Sequence, residues 1–264
     1  MKLFVEGIAI LAPGLTGWDA GRAVLAGEKT YEPTPLAPPV ADLLPAVERR
    51  RTGSMVKLAL AAGHEALTAA GRPVDSVATV FVSSGGDGDV INDICITLAG
   101  SDRQVSPTRF HNSVHNAPSG YWGIATHSHH PSTSLCGFDW SFAIGLLEAA
   151  AQLHVDRREV LLVAYDAPYP EPLGSIRRVA QPFGTALLLT RDRTDRTIAE
   201  LEVTMDAQPK EISRMSDAAL EHLRAGNPSA RALPLLAALA GAQPQVITLE
   251  RDAGQTMSVG VHTF

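Results

Sequence analysis

Cysteine is nearly absent from this chain: Cys95 and Cys136 are the only two in 264 residues. They lie far apart in unlike surroundings, which excludes a disulfide-framework protein and points to a reducing, cytoplasmic setting. Positive charge is not in excess either. With 22 Lys and Arg against 28 Asp and Glu, the net charge is -6. That balance lacks the basic stripe of a nucleic-acid-binding surface. No stretch approaches the roughly 20 apolar residues that cross a bilayer. The opening Met1–Gly7 has a single Lys, and Glu6 interrupts its apolar run, so no signal peptide is expected. Charged residues are only 19% while hydrophobic residues reach 45%, the balance of a globular chain with a sizeable core rather than of a disordered one.

What is present is an alternation of strand and helix patterns. Residues 3–12 read as a buried strand ended by Pro13-Gly14, and residues 18–26 as a short helix. The stretch 29–45 carries five prolines and reads as an irregular excursion. The Ala-rich run 55–70 predicts a well-buried helix, followed by a β-branched strand at 77–82 and a helix over 90–99. The polar segment 106–119 predicts no regular element, and 121–126 a short helix. A strand end at 133–135 leads into a helix over 138–153 that is apolar around most of its circumference and is expected to be central. Strands follow at 159–165, 185–190 and 198–205, then helices at 216–225 and 229–240 and a strand pair at 245–250 and 256–261. Alternation of this kind argues for an α/β layered sheet in one domain.

Few residues carry recognisable chemistry. Cys136 stands between a strand and a helix, where the partial positive charge of a helix N-terminus favours thiolate and hence acyl transfer. The competing reading is a buried, inert thiol. Asp139 fits a helix cap, and its charge beside the sulfur leans toward the inert reading. Five histidines (His111, His115, His127, His129 and His130) crowd one segment, but no carboxylate or cysteine stands at ligand spacing, so no metal is expected. Ser83-Ser84-Gly85-Gly86 lacks the Lys of a phosphate loop. Nothing calls for a cofactor. The basic clusters Arg49-Arg50-Arg51 and Arg177-Arg178 read as solvated charge, or as a landing place for an acidic protein.

Seven segments together resemble β-ketoacyl synthases. EGIAILAPGLTGWDAGRAVLAG is similar to that family's first strand, turn and helix, and RRRTGSMVKLALAAGHEALTAAG to its second helix. VATVFVSSGGDGD, SPTRFHNSVHNAPSGYWGIA, TSLCGFDWSFAIGLLEAA, REVLLVAYDA and QPFGTALLLTRD follow in the family's order. The resemblance covers residues 1–191 and implies a thiolase-like layered fold for 1–264. Its N-terminal half would be essentially complete, and residues 192–264 would form an abbreviated second half. It sets Cys136 at the active-cysteine position. It also implies that Arg109, Phe110, His111, Val114, His115 and Asn116 line a dimer interface and a partner's acyl tunnel. A condensing ketosynthase also carries two catalytic histidines and a Gly-rich loop in its second half. Here only His222 and His262 follow residue 191, and no such loop does. The pattern is similar to short chain-length-factor-like proteins of aryl polyene-type pigment biosynthesis. It implies a non-condensing subunit that pairs with a full-length ketosynthase and works with an acyl carrier protein. The alternative is a stand-alone acyltransferase or thioesterase using Cys136.

Overall fold

The computed structural model describes residues 1–264. The apolar opening forms β1 (Lys2–Ala12), which turns through Pro13-Gly14 into the two-residue β2 (Leu15–Thr16) and then α1 (Trp18–Leu25). Residues 26–45 hold no helix or strand, yet Ala41 and Leu44 drop from this excursion into the core. Next come α2 (Ala46–Arg51), α3 (Ser54–Ala69), β3 (Ala78–Val82) and α4 (Gly88–Ala99). Two short helices, α5 (Pro107–Asn112) and α6 (Ala117–Thr126), precede β4 (Ser132–Leu135) and α7 (Ser141–Val155). Then follow β5 (Val160–Asp166), α8 (Leu173–Ile176), β6 (Phe183–Thr190) and β7 (Ala199–Met205). The chain closes with α9 (Ala218–Gly226), α10 (Leu233–Ala240), β8 (Gln245–Asp252) and β9 (Gln255–Thr263).

All nine strands join one sheet in the order β4-β3-β5-β6-β1-β7-β9-β8, with β2 paired to β1. β3 runs parallel to both β4 and β5, and every other pairing is antiparallel. The parallel strands β3 and β5 are buried along their whole length, as strands covered on both faces must be. One face packs α3, through Leu58, Ala59, Ala62 and Ala66, against Phe81, Leu161 and Leu188. The other packs α7 over β1, β3, β5 and β6 and α10 over β8 and β9, with Leu146, Leu153, Leu233 and Leu236 in the cluster they form. Each such buried Leu contributes about 1.5–3 kcal/mol of transfer free energy. The chain beyond residue 191 extends the same sheet through β7, β9 and β8. No helix is long and apolar enough to cross a membrane.

Two readings of the sequence need correction. The segment 106–119 is not irregular: Pro107 and Pro118 stand in the first turns of α5 and α6, where proline loses no helical hydrogen bond. The helix expected from residue 138 opens instead as a 3-10 turn at Phe138–Trp140, and α7 proper starts at Ser141. α7 is central, as expected, with Phe142, Leu146, Ala149, Ala150 and Leu153 in the core, but it is not covered on every side. Ile144 and Leu147 are half-buried, because no layer of the chain covers that side of the helix fully.

Candidate functional site

The site is built at the β4 end of the sheet, where β4 passes through Cys136 and Gly137 into α7. Phe138 there takes a φ of +53°, a left-handed conformation that costs about 1–3 kcal/mol for a bulky residue. Its surroundings hold it. The Ser141 hydroxyl donates to the Phe138 carbonyl at 2.8 Å and accepts the Gly137 N–H at 3.1 Å, and the Arg177 guanidinium stacks 3.8 Å from the Phe138 ring centroid. Gly137 is required by close approach: a Cβ there would come within 2.4 Å of the Ile144 Cδ1 atom and 3.2 Å of the Ser141 Cα.

Cys136 is exposed, which overturns the buried-thiol reading. Nor does the thiol meet the N-terminus of α7. The 3-10 turn intervenes, and the sulfur donates across the sheet to the Ser84 carbonyl at 3.1 Å. In that bond the thiol is the donor and the carbonyl the acceptor. Asp139 is no cap. Its carboxylate lies 2.6 Å from Arg177 and 3.2 Å from Arg231, and Arg231 continues to Glu250 on β8 at 3.2 Å. Two guanidinia therefore neutralise the charge expected to oppose a thiolate. Beside the sulfur opens a cleft of about 530 Å³ lined by Phe138, Trp140, Ile144, Leu147, Arg251 and Asp252, with no histidine in it.

The loop after β3 is built on a buried carboxylate. Asp166, at the end of β5 and 1% exposed, accepts the Ser84 N–H at 2.8 Å and the hydroxyls of Ser84 at 2.7 Å, Ser83 at 3.3 Å and Ser229 at 2.6 Å. Burial pushes its carboxyl above the ordinary range, and these four hydrogen bonds pull the other way. The Ser83 hydroxyl in turn accepts from Gly85 and Gly86 N–H. The amides that would cradle a phosphate are thus already engaged. Tyr169 lies over Gly85 and Gly88, where any Cβ would collide with its ring or hydroxyl.

The strip from residue 109 to 116 divides into exposed and anchored members. Phe110 is 70% exposed, and Val114 and Asn116 also face solvent. Arg109 pairs with Asp93 of α4 at 2.7 Å. His111 meets Tyr121 edge-on at 6.0 Å, while the Tyr121 hydroxyl donates to Asn112, which donates to the Arg51 carbonyl. His115 donates from Nε2 to the Ser83 carbonyl at 3.2 Å. His111 and His115 do not converge: α5 ends between them, and no three His, Cys, Asp or Glu side chains gather at any point of the chain.

The family model for the β-ketoacyl synthase N-terminal domain matches residues 25–251. The chain belongs to the β-ketoacyl synthases. Solved ketosynthase structures share its thiolase-like layered fold. A chain of the ketosynthase ApeO in complex with its chain length factor ApeC, from Xenorhabdus doucetiae, aligns over 98% of this chain and 99% of its own, with 23% identity and a TM-score of 0.74. A chain of the ishigamide ketosynthase/chain length factor aligns over 100% of both, at 13% identity and a TM-score of 0.75. The AntDE:AntF complex, a type II ketosynthase with its acyl-carrier protein, gives 12% identity, 100% and 99% coverage and a TM-score of 0.76. No curated protein matches the sequence.

Of the residues at the site, Cys136, Asp139, His115 and Phe110 were singled out from the sequence. Asp166, Ser229, Tyr169 and Arg231 were not. The one signal was Asp166 itself, a carboxylate closing an otherwise apolar strand, since such a charge is buried only when something receives it.

Proposed function

We propose that this chain is the non-condensing, chain-length-factor-like partner of a complete ketosynthase, paired with it as a heterodimer, bordering its acyl tunnel and sharing its acyl carrier protein. The observation that carries the reading is α4. This helix buries only Gly88 and Val90 and leaves Ile91, Ile96 and Leu98 exposed. Phe110 on α5, which packs against α4, is exposed too, as are Val114 just after it and Ile124 on α6. β4, against which α6 packs, is an edge strand with one side unpaired. An apolar surface next to an open edge is the mark of a protein interface. Ketosynthase and chain-length-factor pairs are what the ApeO–ApeC and ishigamide structures contain. The cleft beside Cys136 has no histidine to serve as base or as donor to a thioester carbonyl, which supports the non-condensing role. On this reading residues 192–264 are an abbreviated second half, and an aryl polyene-type assembly is the natural setting.

The stand-alone acyltransferase or thioesterase draws on one observation, the exposure of Cys136. Against it stands the thiol proton committed to the Ser84 carbonyl. Co-expression with a full-length ketosynthase, followed by size-exclusion chromatography with light scattering, is the test. A 1:1 complex whose product formation survives Cys136→Ala is expected. A chain that is stable alone, refuses the ketosynthase and takes label from an acyl thioester at Cys136 overturns the proposal.

A further inference from the structure

Asp166 stands apart from the partner surface, yet it reaches both chemistry-bearing side chains at that end of the sheet. Its carboxylate is wholly enclosed and has no cation against it; every hydrogen bond it accepts comes from a serine hydroxyl or an amide. Two of those serines, Ser83 and Ser84, are the residues whose carbonyls receive His115 Nε2 and Cys136 Sγ. Behind the carboxylate, Ser229 holds its second oxygen, and Asn227 donates to the Asp166 and Gln181 carbonyls at 3.2 and 2.7 Å. Ser229 and Asn227 are both buried, at 0% and 1% exposure. A buried carboxyl group with all its donors on short, stiff elements permits one arrangement of the loop, because any shift leaves a buried polar group under-bonded.

We infer that Asp166 is a positioning residue: through the Ser83–Ser84 loop it fixes the Cys136 thiol and the His115 ring, and it ties both to the Asn227–Ser229 turn. The tie runs from a segment beyond residue 191 to the face carrying Cys136. It is read on the isolated chain, so its failure is separate from failure of the partner reading.

The two cysteines supply their own control. Cys95 is exposed on α4 and makes no contact with the network, whereas Cys136 hangs from it. Alkylation of the full chain with iodoacetamide, followed by mass spectrometry of the two cysteine peptides, gives the ratio of Cys136 to Cys95 labelling. Asp166→Asn and Ser229→Ala are each expected to raise that ratio about threefold to tenfold, the scale of one hydrogen bond released. General destabilisation raises both rates together and leaves the ratio alone. Ratios within twofold of the parent in the folded variants overturn the inference. If Asp166→Asn does not fold, Ser229→Ala and Ser84→Ala decide it by the same ratio.

Discussion

Phe110 offers the sharpest test of the interface, because its side chain does almost nothing for the isolated chain. A phenylalanine buries about 150–250 Å² when covered. At 70% exposure, about 140 Å² of it remains for a partner to cover. Truncation to alanine removes about 100 Å² of that, or about 2.5 kcal/mol at 25 cal/mol/Å². Ordering the ring in the complex returns about 0.5–1 kcal/mol. The net is about 2 kcal/mol, a weakening of the ketosynthase complex by roughly 25-fold. The same change is expected to leave the unfolding free energy of the free chain within about 0.5 kcal/mol, as at other exposed positions. Isothermal titration of the purified chain into the ketosynthase measures the first quantity, and urea unfolding measures the second. An affinity unchanged by Phe110→Ala, with stability also unchanged, removes Phe110 from the interface. A large loss of stability refutes the premise that the ring is free in the monomer.

Two further outcomes follow from single elements. Glu221 is held down to about 2, chiefly by its hydrogen bonds to Arg224, so its folded-state value lies below the ordinary 4.5. A depressed carboxyl stabilises above its unfolded value and loses that contribution as pH falls through the window from about 4.5 to 2, a loss of about 1–2 kcal/mol after solvent screening. Glu221→Gln should thus be less stable than the parent at pH 6, and urea unfolding at pH 3 should find most of the difference gone; a constant gap would refute the assignment. Asp87 caps α4 by accepting the Val90 N–H at 3.1 Å. Its replacement by Ala should cost about 1 kcal/mol and, with little core burial to compensate, speed amide hydrogen exchange within residues 88–99 first.

Much of the fold was legible because its elements are strongly periodic or apolar throughout. β1, β5 and the Ala-rich α3 fall within a residue or two of the predicted spans, since a continuous apolar run between turn signals has few alternatives. The misreadings have local causes. The segment 106–119 reads as irregular because it is polar and holds Pro107 and Pro118, whereas a proline in the first turn starts a helix. The site was less legible because its partners lie far apart in the chain: Ser84 and Ser229 meet Asp166 across 82 and 63 residues. No spacing rule foresees such a meeting, and serine is too common to flag it. The exposure of Cys136 was equally hidden, because it depends on which side of α7 lacks a covering layer.

The structure moves the argument about Cys136 from one residue to another. From the sequence, Asp139 is the group that would oppose a thiolate; in the fold it lies between Arg177 and Arg231, and its charge is spent on them. The opposing group is the Ser84 carbonyl, which accepts the thiol's hydrogen bond and would face a thiolate with its own lone pairs. That carbonyl is held by Asp166, which Ser229 holds in turn, while Arg231 and Glu250 brace the other side of the turn. Ser229, Arg231 and Glu250 all lie beyond residue 191. The later segment therefore does more than extend the sheet: through Ser229 on Asp166 and Arg231 on Asp139 it braces the turn in which the cysteine sits.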